Sequence, residues 1–129
     1  MMIGYVTVGT NDHARALAFY DALIGEIGGR RLSTLPGERG FTLYGTGFDA
    51  PMLAVTRPYD GGTADTGNGG MVALVLESRD RVDAVHARAL ALGASDEGAP
   101  GLRAPESMGF YGAYVRDPDG NKLCFYKIG

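Results

Sequence analysis

Apolar and polar positions alternate with a period of two at the start of the chain, where Ile3, Tyr5 and Thr7 interleave with Gly4, Val6 and Val8. That period and its β-branched content predict a strand over residues 2–9. The period then changes. Leu17, Tyr20, Leu23, Ile24 and Ile27 recur at helical spacings and form one apolar stripe. Thr10, Asn11 and Asp12 offer N-cap oxygens before that helix, and the glycines at 25, 28 and 29 end it. Short β-rich runs follow at 31–35, 40–46 and 50–56, separated by Pro36-Gly37, Gly47 and Arg57-Pro58. Residues 58–70 are polar and glycine-rich and read as a linker.

The same order then recurs. Residues 71–76 form an apolar strand, Ser78 caps a helix, and Asp80 sits in its first turn, where negative charge is favoured. Val82, Val85, Ala89 and Leu92 make the second stripe, with Gly93 at the C′ position. Strands are predicted near 96–98, 111–116 and 122–127. Between the last two, Asp117-Pro118-Asp119-Gly120-Asn121 is a tight hairpin turn: the aspartates can bond their own backbone, Pro118 presets φ, and Gly120 accepts a positive φ. Strand and cap repeat from Asn11 to Ser78, an offset of 67 residues, with negligible identity between the halves. The fold class is therefore α+β, two βαβββ modules in one domain: module 1 over about 1–57, a linker over 58–70, and module 2 over 71–129.

Composition narrows the function classes. At 129 residues the chain suits one domain, and 45% hydrophobic with 21% charged residues is ordinary for a soluble protein. A net charge of −3 without a basic patch gives no reason to expect nucleic acid. No apolar run is long enough for a membrane span, and no signal-peptide pattern opens the chain. One cysteine excludes an intrachain disulfide and fits a reducing compartment, so cytoplasm is the expected location. No nucleophile elbow, Walker loop, dinucleotide fingerprint or CxxC motif is present.

Three segments in order resemble the vicinal-oxygen-chelate family, which includes glyoxalase, bleomycin-resistance protein and extradiol dioxygenase. They are Gly4-Tyr5-Val6-Thr7-Val8-Gly9-Thr10-Asn11-Asp12 followed by Ala18-Phe19-Tyr20, the mid-chain Gly70-Met71-Val72-Ala73-Leu74, and the terminal DPDGN turn. The resemblance spans the chain and implies that the modules curl a mixed β-sheet into a cup. It also implies a divalent metal held by His or Glu at four cup positions. Those positions fall on Tyr5, on Ala54 or its neighbour Leu53, on Met71 and on Cys124. None is a usual ligand for a hard divalent metal, and a soft Cys124–Met71 pair makes a poor site for Cu(I) or zinc. The expectation is a protein without the family's metal or any other cofactor.

What lines the cup then follows from the strand period. Tyr5 and Thr7, Met71 and Ala73, and Cys124 and Tyr126 are expected to point inward. Tyr44, Tyr111 and Arg57 are further substrate-pocket candidates, Arg57 as an anion clamp at the mouth or as the partner of Asp60 in a salt-bridged turn. Tyr5 and Cys124 are the candidates for catalysis, against the plainer readings of a core tyrosine and a small buried thiol. His86 reads as a structural histidine and His13 as solvated surface. The functional expectation is a small-molecule-binding protein. Alternatives are a glyoxalase-type lyase or isomerase acting on a carbonyl compound or thiol conjugate, and a non-catalytic interaction dimer. By resemblance the chain pairs as a homodimer.

Overall fold

The computed structural model describes residues 2–129. Its elements are β1 (Tyr5–Gly9), α1 (His13–Ile27), β2 (Arg30–Thr34), β3 (Thr42–Gly45), β4 (Met52–Thr56), β5 (Val72–Val75), α2 (Arg79–Ala91), β6 (Ser95–Leu102), β7 (Phe110–Arg116) and β8 (Lys122–Ile128), with a 3₁₀ turn at Glu106–Met108. They form two four-stranded mixed sheets of matching order, β1-β4-β3-β2 and β5-β8-β7-β6. In each, the first strand pairs parallel with the fourth and the remaining pairs are antiparallel. The repeated β-α-β-β-β order is thus a repeated topology.

Local chemistry sets the helix ends. Asp12 caps α1 by accepting from the Arg15 amide at 3.1 Å, and Ser78 caps α2 through the Arg81 amide in the same way. Gly28 ends α1 at φ 95°, a conformation that disfavours any residue with a Cβ. The main difference from expectation is β6, which runs through eight residues where the pattern suggested three. Gly98, Pro100 and Gly101 hide it. As an edge strand with two register shifts it tolerates residues a central strand would not.

The helices cover one side of the sheets, and a single hydrophobic cluster joins the modules there. Phe19, Tyr20 and Leu23 of α1 pack with Val82 and Val85 of α2 and with Val55, Val115 and Phe125 from the strands. The hairpin turn locks this arrangement. Asp119, its side chain 4% exposed, accepts from Thr10 Oγ1 at 2.6 Å, the Asn11 amide at 2.9 Å and Arg15 Nη2 at 3.1 Å. Asn121 donates from Nδ2 to the Gly9 carbonyl at 2.9 Å. Buried Asp117 accepts from Tyr20 Oη at 2.5 Å and from the Asp119 and Asn121 amides. The last turn of module 2 therefore satisfies the polar groups where module 1 passes from β1 into α1.

Two outcomes follow for stability. Asp117→Ala leaves buried donors without an acceptor and is expected to lower the unfolding free energy by about 2–4 kcal/mol in urea melts. Arg88→Ala, which removes an exposed 3.6 Å pair with Glu26, should change it by no more than about 0.5 kcal/mol. Burial first, and then the Asp117 carboxylate, push the Tyr20 phenol well above its ordinary value. A group raised in the folded state contributes fully below its unfolded value, for tyrosine about 10, and that contribution is lost as pH climbs through the folded value. Stability is thus expected to fall above about pH 10, with a shallower fall in Tyr20→Phe, measured by urea melts across that range.

Candidate functional site

Strand pairing divides the residues between a helix-packed face and an open face. In module 1, Thr7 lies opposite Ala54, which lies opposite Leu43, while Val6, Leu53 and Tyr44 align on the helix-packed side. The uncertain metal position of the first module therefore resolves to Ala54, since Leu53 belongs to the core cluster. Tyr5 stands on the open face at 53% exposure, its ring edge-on to Phe41 at 5.6 Å. In module 2, Ala73 pairs with Cys124 and Val75 with Tyr126, so these four share the open face.

The densest chemistry lies on that second sheet. Tyr114 sits opposite Cys124 across the β7–β8 ladder. Arg103 Cζ lies 5.2 Å and Lys122 Nζ 5.5 Å from the centroid of the Tyr114 ring. Arg103 is fixed by donating to the Gly101 and Ala99 carbonyls at 2.9 and 2.6 Å. Gly98 leaves space for the ring, because a Cβ there would come within 2.9 Å of it. Beyond Cys124, Tyr126 stacks on Phe110 at 5.0 Å with rings 9° from parallel. Burial pushes the Cys124 thiol up, and the Tyr114 hydroxyl and the two cations only partly offset it. Burial raises the Tyr114 phenol as well, with the neighbouring thiol adding to it. A thiol that is fully buried and protonated at neutral pH is a poor nucleophile.

Several expected residues lie elsewhere. Tyr44 is on the helix-packed side, where its hydroxyl donates to Asp21 at 2.8 Å, so its assignment to the cup is corrected. Tyr111 is corrected for the same reason: its hydroxyl donates to Asp83 of α2 at 2.6 Å, under the Arg79 guanidinium. Arg57 does not pair with Asp60; its Nη1 donates to the Glu38 carbonyl at 3.0 Å, while Asp60 accepts from the Gly62 amide. His13 is half-buried rather than solvated, donating from Nε2 to the Gly40 carbonyl at 2.6 Å. His86 is buried with Nε2 3.0 Å from Asp96 Oδ1, a structural arrangement linking α2 to β6.

Tyr114, Arg103 and Lys122 were missed by reading strands singly. The hairpin turn held the signal. Counting back from Arg116 opposite Lys122 puts Tyr114 opposite Cys124 and leaves Tyr111 with the wrong parity. An apolar groove of about 560 Å³ runs between the modules, lined by Ile3 and Val6, Ile24 and Ile27 of α1, and residues 71–75. It has no titratable side chain except the inward Tyr44, so it offers shape rather than chemistry.

The four metal positions carry a phenol, a methyl group, a thioether and a buried thiol, at Tyr5, Ala54, Met71 and Cys124. That donor set does not fit a divalent cation that prefers imidazole and carboxylate. Among the described residues no group of three or more His, Cys, Asp and Glu side chains is gathered at one place. Among the described residues no helix is long and apolar enough to cross a membrane.

Comparison with known proteins agrees with this architecture. The family model described as Glyoxalase/Bleomycin resistance protein/Dioxygenase superfamily matches residues 2–125. A glyoxalase/bleomycin resistance protein from Albidiferax ferrireducens T118 superposes with a TM-score of 0.83 at 34% identity over 98% of each chain. A glyoxalase/bleomycin resistance protein/dioxygenase family enzyme from Burkholderia phytofirmans PsJN gives 0.77 at 18% identity, again over 98% of each chain. A lactoylglutathione lyase from Agrobacterium tumefaciens gives 0.68 at 24% identity over 97% of this chain and 92% of the other. The latter two likenesses concern fold alone. No curated protein matches the sequence. With its repeated βαβββ modules and a family match over nearly its whole length, the chain belongs to the glyoxalase/bleomycin-resistance/dioxygenase superfamily.

Proposed function

We propose that the protein binds a small organic molecule on the open face of its sheets and does so without the family's divalent metal. The observation that carries this reading is the Tyr114 cluster: an aromatic ring beside a buried thiol, with two cations against it. Among the described residues no carboxylate reaches ion-pair distance of either cation. Such a surface offers stacking area and positive charge, which are the elements of a ligand pocket with a few polar anchors. It offers no hard-metal donors.

A glyoxalase-type lyase or isomerase is the second reading, favoured by the resemblance to the lactoylglutathione lyase fold. It needs a group to move protons. Cys124 is held protonated by burial, which leaves the Tyr5, Tyr114 and Tyr126 phenols on the open face as the groups that could do so. Binding asks less of these residues than catalysis does, and fold likeness is a weak warrant for chemistry.

We also infer a homodimer in the cytoplasm. β1 and β5 each lie at one edge of their sheets, with Tyr5 and Val75 exposed on them and Ile3 and Met71 exposed just before them. Apolar edges of this kind invite pairing and are normally covered. A second copy covers them and closes the groove between the modules.

Two measurements test these readings. In thermal-shift assays against aromatic acids and glutathione conjugates, at least one compound is expected to raise the melting temperature by several degrees, unchanged by chelator. Lys122→Gln should weaken that compound by about fivefold or more, because it removes one of the cations. A shift that appears only with a stoichiometric divalent ion, or no shift with any compound, would overturn the reading. In size-exclusion chromatography with light scattering, the protein is expected at twice its 13.6 kDa chain mass. Val75→Lys should move it toward the monomer, whereas a monomeric wild type at micromolar concentration would remove the dimer.

A further inference from the structure

The open face of module 1 carries a second cation with a different setting. The Arg39 guanidinium lies between two rings, its Cζ 5.5 Å from the centroid of Phe41 and 5.0 Å from that of Tyr59. Its backbone is pinned as well, since the Arg39 carbonyl accepts from the Arg57 amide at 2.9 Å and from Thr56 Oγ1 at 3.3 Å. Arg39 Nε is buried and meets no acceptor. Among the described residues, the terminal nitrogens have neither a hydrogen-bond acceptor nor a carboxylate partner in the protein. Five other arginines do have carboxylate partners: Arg15, Arg31, Arg81, Arg88 and Arg116. Arg30, Arg57, Arg79 and Arg103 also lack one, but among the described residues Arg39 alone of these five lies between two rings.

Beside it is a hollow of about 290 Å³ walled by Arg39, Tyr5, Leu35, Pro36, Phe41 and Glu38, with Gly37 at its rim. The volume is at the small end for ligand clefts. Tyr5 and Phe41 meet edge-on there and present one aromatic surface. A fixed guanidinium fork matches a carboxylate through two parallel N–H···O bonds, and the rings suit a flat apolar body. Glu38 lines the same hollow and disfavours a second negative charge.

We infer that this hollow is the recognition site for a planar aromatic monocarboxylate, with its carboxylate on the Arg39 fork and its ring against Tyr5 and Phe41. The inference deepens the binding function proposed above and rests on it. It places an anion clamp on Arg39 rather than on Arg57, whose amide binds the Arg39 carbonyl. Arg57 itself braces the loop through the Glu38 carbonyl.

The test uses the full chain and two small probes of equal shape, benzoate and neutral benzamide, followed by ¹H–¹⁵N NMR titration of backbone amides and arginine Nε–H groups. Benzoate is expected to shift the Arg39 Nε–H and the amides of residues 35–41, with benzamide about tenfold weaker or worse. Arg39→Gln should weaken benzoate by about tenfold, while leaving the spectrum of module 2 and the melting temperature nearly unchanged. Arg39→Lys, which keeps the charge but not the planar fork, should fall between the two. Equal binding of both probes, or unchanged benzoate binding in Arg39→Gln, would overturn the assignment. Benzoate shifts confined to Tyr114 and Cys124 would overturn it too, yet leave the binding function standing. If benzoate moves no residue of either open face up to about 10 mM and the compound panel also fails, both readings fall.

Discussion

The buried carboxylates of one β-turn hold the two modules in place. Asp119 reaches into the passage from β1 to α1 and accepts from a hydroxyl, an amide and a guanidinium there. Asp117 accepts from the Tyr20 hydroxyl under the same helix. Backbone and side-chain donors at a helix start need partners, and once buried they are costly to leave without them. Meeting that need with a turn from the other module makes the inter-module arrangement specific. Hydrophobic contact between α1 and α2 alone is non-directional and would not fix it.

That fixed arrangement gives the sheets two unlike faces. Where the helices pack, the inward tyrosines Tyr20, Tyr44 and Tyr111 each hydrogen-bond an aspartate. On the open face three aromatics lie against cations without such a carboxylate, Phe41 and Tyr59 against Arg39 and Tyr114 against Arg103 and Lys122, while Phe110 and Tyr126 stack on each other. A phenol beside a carboxylate is satisfied within the protein. A ring beside an unpaired cation retains the capacity to bind an anion. The division between a structural side and a ligand-facing side is thus chemical as well as geometric.

Part of the open face was legible in residue spacing. Tyr5 with Thr7, and Ala73 with Cys124 and Tyr126, share the open face, as the two-residue strand period required once a first residue was oriented. Tyr44 and Tyr111 failed that step because each lay in a strand whose phase had been set by no anchor. A shift of one residue sends every side chain of a strand to the other face. For β7 an anchor did exist in the hairpin turn, which fixes pairing across the ladder. For β3 none existed, since its register depends on β4, and the ambiguity between Leu53 and Ala54 was the same missing information. The arginines are a different case. Long, flexible side chains go where rings and carbonyls receive them, so neither Arg39 nor Arg103 could be chosen over Arg57 from its place in a strand.

The sequence by itself determined the order of the elements, their twofold repetition and the α+β class. These depend on local propensity, periodicity and residue identity, all of which are one-dimensional. Only the tertiary structure decided that the terminal DPDGN turn joins the modules and that Arg39 is held between two rings with no acid to neutralise it. Each of these depends on contacts between residues far apart in the chain. Such contacts come from the packing of helices and sheets in three dimensions, and no spacing along the chain encodes them.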